Sequence, residues 1–273
     1  MICEKCKKTP AMKASFCPDC DGRIIVQEQS QSTPLKAAPA QPPIQNQRKT
    51  WYYVLASVSV MVVLLAFVRY FVFTTTVTVG DIIPFGNHNW LVLDVQGNHA
   101  LIITENIISR RSYHGSTIRA TWETSDIRHY LNSTFLNTFS SRERRRIRET
   151  TVTSNNNPWY GTNGGNNTVD YVFLLSIEEV VRYFGDSGQL QNRPQGAWVI
   201  DDGYNGARAV RTYAGAASWW WLRSPGGLSL YAARLGLGGA RAAHVGRGGS
   251  VNVRGLSVSD LDGGVRPALW LRL

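Results

Sequence analysis

Residues 51–73 read WYYVLASVSVMVVLLAFVRYFVF, and the eighteen from Trp51 to Val68 carry no charge. A run of this length suits a helix across a bilayer, since about 20 apolar residues at ~1.5 Å each cover a hydrocarbon core of about 30 Å. Trp51, Tyr52 and Tyr53 at one end and Tyr70 and Phe71 at the other suit the two interfaces, and Arg69 can extend its head toward water. A buried core helix is the competing reading. A cleaved leader is disfavoured because the apolar run begins only at residue 51. Arg48 and Lys49 flank its N-terminal end, and after Arg69 the next basic residue is Arg110. The positive-inside rule then predicts a single-pass cell-membrane protein with a cytoplasmic N-terminus and an extracellular C-terminal part.

All four cysteines lie before this run, as Cys3, Cys6, Cys17 and Cys20. Two C-x2-C knuckles can give four thiolates to one tetrahedral Zn²⁺, so residues 1–22 read as a zinc ribbon. Two disulfides are the alternative, disfavoured in a reducing cytoplasm. So small a unit needs the metal for most of its folding energy. Residues 23–50 are rich in Gln, Ser, Pro and Ala and read as a disordered linker.

Residues 76–273 read as one exported domain without cysteine, which must stand on its core. The composition allows that, at 43% apolar and 11% aromatic with all nine Trp at or after Trp51. The net charge of +10 is not a nucleic-acid signature, because it is spread thinly and the one dense basic run is Arg142–Arg148. Hairpin turns are expected at Phe85-Gly86-Asn87 and Gln96-Gly97-Asn98. A helical segment is expected in TSDIRHYLNSTFLNTF with Ser125 or Asp126 as its N-cap. Capping boxes are expected at Ser140/Glu143, ahead of RERRRIRE, and at Ser176/Glu179, ahead of EEVVRYF. SNNNPWYGTNGGNNT and the Asp201-Asp202-Gly203 region are turn chemistry, and strands dominate from Ser218 onward. The class is α+β.

WWLRSPG at 220–226 and GVRPALWL at 264–271 bracket a glycine-rich stretch, preceded upstream by GDIIPFGNHNWLVLDV, TWETSDIRHYLN, WYGTNGG and VFLLSIEEV. Residues 78–273 thereby resemble the C-type-lectin-like domains, related in fold to formylglycine-generating enzymes, found in bacterial surface proteins. Several of these are variable proteins of diversity-generating retroelements. The resemblance implies a lectin-like fold and a displayed ligand-binding surface. In such systems template adenines are mutated, so Asn codons cannot become Lys, Glu, Gln, Met or Trp. Gly226–Val265 contains none of the five. A Gly/Ala/Ser-rich structural stretch accounts for that absence equally. Residues 232–239 echo residues 242–249 at a ten-residue interval, with small frame positions and differing Arg234/His244 and Leu237/Arg247. A strand–turn repeat with free outward positions has this pattern.

The candidate ligand-binding positions are Leu228, Leu230, Tyr231, Arg234, Leu237, Arg241, His244, Arg247, Asn252, Arg254, Leu256, Ser257, Ser259 and Leu261, some of whose leucines could instead be core. The expected ligand is a protein or glycan outside the cell, and no nucleic acid. Enzyme activity is not expected: formylglycine-generating enzymes use cysteine, and every cysteine here precedes the apolar run. The five histidines show no metal-ligand spacing. Ca²⁺ at Asp201, Asp202 and Asn205 is a weaker expectation, because the loop lacks a full series of oxygen ligands. The alternative function is a non-diversified surface sensor or adhesion module coupled to the ribbon.

Overall fold

A computed structural model of the chain describes residues 2–7, 9, 16, 20, 22–25, 47–73, 76–117, 120–212, 214–227 and 240–273. The chain forms two compact units, Met1–Phe73 and Thr74–Leu273.

In the first unit β1 (Ile2–Cys3) pairs antiparallel with β2 (Ile24–Ile25). Ile24 and Ile25 fall inside the expected linker, yet their branched side chains suit a strand better than coil. The linker is therefore shorter than residues 23–50 at both ends, since helix α1 (Gln47–Phe73) begins within it as well. Residues 26–46 lie outside the described residues. Side chains from Trp51 to Leu64 in α1 are exposed on every face. The Ser57 and Ser59 hydroxyls donate back to the carbonyls of Val54 (2.8 Å) and Ala56 (2.9 Å). Among the described residues, no helix is long and apolar enough to cross a membrane.

The second unit mixes helices and sheets, as expected of an α+β chain, and its whole core lies between Phe85 and Leu271. Its opening strands are β3 (Ile82–Phe85), β4 (His88–Gln96), β5 (His99–Thr104) and β6 (Ser109–Arg110). Phe85 pairs with His88 and Gln96 with His99, so Gly86-Asn87 and Gly97-Asn98 are two-residue hairpin turns. Helix α2 (Asp126–Tyr130) is capped by the Ser125 side chain. It passes into a π-turn at Leu131–Phe135 and a 3₁₀ turn at Leu136–Thr138, which carry Leu131 and Phe135 into the core. Helix α3 (Ser141–Arg144) starts on the Ser140/Glu143 capping box but runs only four residues. The chain then turns to bridge Ile147 to Leu271 and bury it, which ends the helix expected through Glu149.

The hairpin β7 (Thr150–Val152) and β8 (Thr168–Asp170) brackets the asparagine-rich loop. Helix α4 (Ile177–Phe184) carries both hydrogen bonds of the Ser176/Glu179 box and buries Ile177, Val180, Val181 and Phe184. Next come β9 (Val199–Ile200), α5 (Asn205–Arg208), β10 (Val210–Arg211) and β11 (Ala217–Ser218). The C-terminal strands are β12 (Trp220–Pro225), β13 (Arg241–Val245), β14 (Val251–Ser257), β15 (Gly264–Val265) and β16 (Ala268–Arg272). They build two sheets, β16-β5-β4-β3 and β6-β15-β12-β13-β14-β9.

The bracketing motifs are interior. Every residue of β12 is buried, and Trp220 and Trp221 are fully so. Arg223 meets Glu179 through both guanidinium nitrogens, one at 2.8 Å, and donates to the carbonyls of Leu174 (2.8 Å) and Thr153. Arg266 lies between the rings of Trp220 (5.0 Å) and Phe184 (5.5 Å) and donates to the Thr104 carbonyl (2.9 Å). Burial lowers its pKa to about 9, so it remains a cation at neutral pH.

Candidate ligand-binding face and metal centre

The free thiols of Cys3, Cys6 and Cys20 place their sulfurs within 4.8 Å of one another. Cys17 lies outside the described residues. Thiolates on one tetrahedral ion at ~2.3 Å stand about 4 Å apart, so this trio fits a metal such as zinc. The Cys6 backbone N–H, hydrogen-bonded to the Cys3 sulfur, lowers that thiol to about 6, which favours the ligating form.

In the second unit the chain leaves β12 at Pro225 and rejoins the described fold at Ala240. Both ends are fastened by backbone. Gly226 N–H donates to the Arg241 carbonyl (2.7 Å) and Gly227 N–H to the Arg254 carbonyl (2.9 Å). A Cβ at Gly226 would strike the Arg254 carbonyl, so only glycine lets the chain lie this close to the sheet. At the far end Ala240 N–H donates to Thr117 O (3.3 Å), and its carbonyl accepts from Val258 N–H (3.1 Å). Asn157 clamps the same corner from below. Its amide donates to Pro225 O (2.7 Å) and Val253 O (2.8 Å), and its Oδ1 accepts from the N–H groups of Trp159 and Tyr160. A buried asparagine with its amide satisfied is what holds SNNNPWYG against the sheet.

Strand β14 alternates from Val251 to Leu256, after which Ser257 is exposed too. Val251, Val253 and Gly255 are buried, while Asn252, Arg254 and Leu256 reach outward. Its pairing with β13 shifts between Ala242 and His244, and the shift is closed by Gly255 N–H donating to Asn252 Oδ1 (2.8 Å). Gly255 sits at φ 76°, where a Cβ would run into the Ala242 carbonyl.

Of the fourteen candidate positions, Leu228, Leu230, Tyr231, Arg234 and Leu237 lie outside the described residues. Arg247, Arg254, Ser257 and Leu261 are exposed, and Arg241, Asn252, Leu256 and Ser259 are half-buried. Leu256 also packs on the core edge. Arg241 and Ser257 face each other at one end of the β13–β14 hairpin. Arg247, by contrast, lines a separate hollow with Glu105 and Arg211 and does not join them.

His244 is not a display position. It is 6% exposed, because β13 is an interior strand between β12 and β14, and its ring lies edge-on to Trp219 (5.1 Å) and Trp221 (6.4 Å). Burial lowers its pKa to about 4. Between pH 6.5 and about 4 the unfolded chain binds a proton that the folded one refuses. Stability is therefore full above pH 6.5 and falls as pH drops through that window. The expected loss is about 2 kcal/mol by pH 5. Guanidinium unfolding at pH 7.5 and 5 should show it, and His244→Phe should reduce the pH dependence by that amount. Parallel pH profiles for the two proteins would contradict the assignment.

In the Asp201/Asp202/Asn205 loop the carboxylates already have partners within the chain. Asp202 is held by the buried Arg208 (2.9 and 3.2 Å) and by Ser187 (2.6 Å), and Asp201 accepts from the Asn205 amide. A guanidinium already supplies the positive charge that a cation would bring.

Three residues at this face escaped the sequence reading. Trp198 is 51% exposed, and its carbonyl accepts from Val253 and Arg254 N–H. Tyr160 lies under Arg193, which donates to its hydroxyl (3.2 Å) and to the Ala197 carbonyl. Exposed Trp and Tyr beside Arg254 are the residue types that anchor interfaces. Next to them Thr121, Thr162, Asn163, Pro225, Ala240 and Arg241 line a hollow of about 270 Å³. That is below the ~300–1,000 Å³ of small-molecule sites and suits one side chain or one sugar ring.

The family described as Domain of unknown function (DUF6273) matches residues 97–273. No curated protein and no solved structure matches the chain.

Proposed function

The chain belongs to the DUF6273 family, and for this member we propose a membrane-anchored surface protein whose outer domain binds a protein or glycan through a retroelement-diversified face. The observation that carries this reading is the corner built by β12, β13 and β14. Backbone hydrogen bonds at Gly226, Gly227 and Ala240 fasten the two ends of segment 228–239. Beyond Ala240, strand β14 turns small residues inward and Asn252, Arg254 and Leu256 outward. On that outward row Arg254 is exposed and can change without entering the core, while Asn252 also holds the bulge and Leu256 the core edge.

The finer fold, a C-type-lectin-like domain, belongs to the same reading. The zinc identity of the cysteine centre does too. The membrane span rests on the sequence and on α1. The helix holds the whole uncharged run Trp51–Val68 of the sequence. Its apolar side chains from Trp51 to Leu64 are exposed all round, and the Ser57 and Ser59 hydroxyls are satisfied within the helix, as an apolar solvent requires.

The flanking DNA tests the proposal. A reverse transcriptase and a near-identical, Asn-rich copy of the 226–265 coding segment are expected beside the gene; a locus with neither would remove the diversification. Alkaline carbonate extraction of membranes tests the anchor, which predicts the full chain in the pellet.

A further inference from the structure

The run Arg142–Arg148 has no part in the face described above, yet it is the densest charge in the chain. The segment is fastened to the edge of the β16-β5-β4-β3 sheet: Arg148 N–H donates to Trp270 O (2.8 Å) and Arg272 N–H to Arg146 O (2.8 Å). Ile147 points into the core, which leaves Arg142, Arg145, Arg146 and Arg148 exposed, with Arg272 exposed beside them.

These charges are hardly neutralised from within: Glu143 acts electrostatically on Arg146 alone. Among the described residues none of the five forms an ion pair. Glu143 is turned back onto Ser140 N–H (2.7 Å) as a cap, and Glu149 meets the Tyr171 hydroxyl (3.5 Å). Like charges packed this closely repel one another unless a counter-charge is supplied from outside. An open hollow of about 620 Å³ adjoins them, and Asn137, Ser141, Arg144, Arg145 and Tyr171 line it with hydrogen-bond donors suited to phosphate oxygens.

A second observation says which anion. Arg146 lies over the ring of Phe85 (5.5 Å), at the end of β3. The same strand begins with Ile82, 53% exposed, shortly after Val79, 63% exposed. In sequence, only residues 74–76 lie between the end of α1 and Val77, which packs on the outer domain's core. Exposed aliphatic residues a few positions in sequence after an apolar helix, and a separate exposed basic surface on the other edge of the same sheet, both match a leaflet of phosphodiester headgroups.

We propose that Arg142, Arg145, Arg146, Arg148 and Arg272 form a docking surface for an anionic lipid leaflet, holding the outer domain against the membrane. The proposal rests on the membrane reading of α1 for its biological setting, but its test does not use α1. The domain of residues 76–273 has a core of its own, so it can be mixed without the helix with vesicles of phosphatidylglycerol and phosphatidylcholine, or of phosphatidylcholine alone. Sedimentation should show binding to the anionic vesicles only, lost at about 0.5 M salt.

The R142Q/R145Q/R148Q variant should partition about 100-fold more weakly at an unchanged melting temperature. None of these three side chains donates a hydrogen bond within the domain, so the fold should survive. R272Q is the second variant, for use if the first melts early. Equal partitioning to both vesicles, wild-type partitioning by a folded variant, or tighter binding to duplex DNA than to anionic vesicles would each overturn the proposal. A full chain missing from the carbonate pellet would instead refute the span and leave this surface standing.

Discussion

Chelation of the full chain is expected to unfold the cysteine unit and leave the C-terminal domain untouched. With β1 and β2 of two residues each, the unit has almost nothing to bury, and Cys3 is its one buried apolar side chain among the described residues. Structural zinc at such a site supplies on the order of 10–16 kcal/mol, far more than the unit could gather by packing. Metal analysis should find about one zinc per chain, with Cys3, Cys6 and Cys20, and by the sequence pattern Cys17, as ligands. Before chelation the four thiols should resist a thiol reagent; afterwards all four should react. Every Trp lies at or after Trp51, so tryptophan fluorescence should not move. Protected thiols in a metal-free protein would contradict the metal centre.

The second large effect is in the scaffold. Arg223→Met should destabilise the C-terminal domain by about 3–5 kcal/mol, because it strips a paired guanidinium from a nearly closed site. The Arg223 side chain is 5% exposed, and its loss orphans the Leu174 and Thr153 carbonyls and frees the Glu179 carboxylate at the start of α4. In a domain of this size that lowers Tm by about 10 °C. Arg254→Ala, on the outward row, should stay within about 0.5 kcal/mol. Urea unfolding followed by tryptophan fluorescence compares the two directly. Equal losses would dissolve the distinction between frame and display on which the functional reading depends.

Local rules made much of the fold readable. The Ser-x-x-Glu pairs at 140/143 and 176/179 both close as reciprocal caps, and the Gly-Asn pairs at 86–87 and 97–98 both make tight turns, because these motifs need only neighbours in sequence. Four thiol positions in two knuckles likewise announce a metal site before any tertiary contact is known.

What depended on distant partners was not readable. The bridge of Ile147 to Leu271 cuts α3 short, and sequence periodicity has no term for it. The same holds for His244. Its spacing in the repeat matches Arg234 and suggested an outward position, but placing β13 between two strands and under Trp219 and Trp221 makes it core. Trp198 and Tyr160 stood in the sequence with no signal of a surface role, and the exposure of Tyr160 goes with the loop that Asn157 clamps to the sheet. Asn157 itself was one of six asparagines in SNNNPWYGTNGGNNT, and nothing local separates the buried one from the others.

The central claim is that this chain presents one variable row on a fixed frame. Deep sequencing of the gene in a natural population measures that directly. Substitutions should gather at codons 228, 230, 231, 234, 237, 241, 247, 252, 254, 256, 257, 259 and 261. They should spare Ala242, Ala243, His244, Val245, Val251, Val253, Gly255 and Val258, whose side chains or backbone are buried in the sheet. An invariant 226–265 segment, or changes spread evenly over buried and exposed positions, would contradict the account.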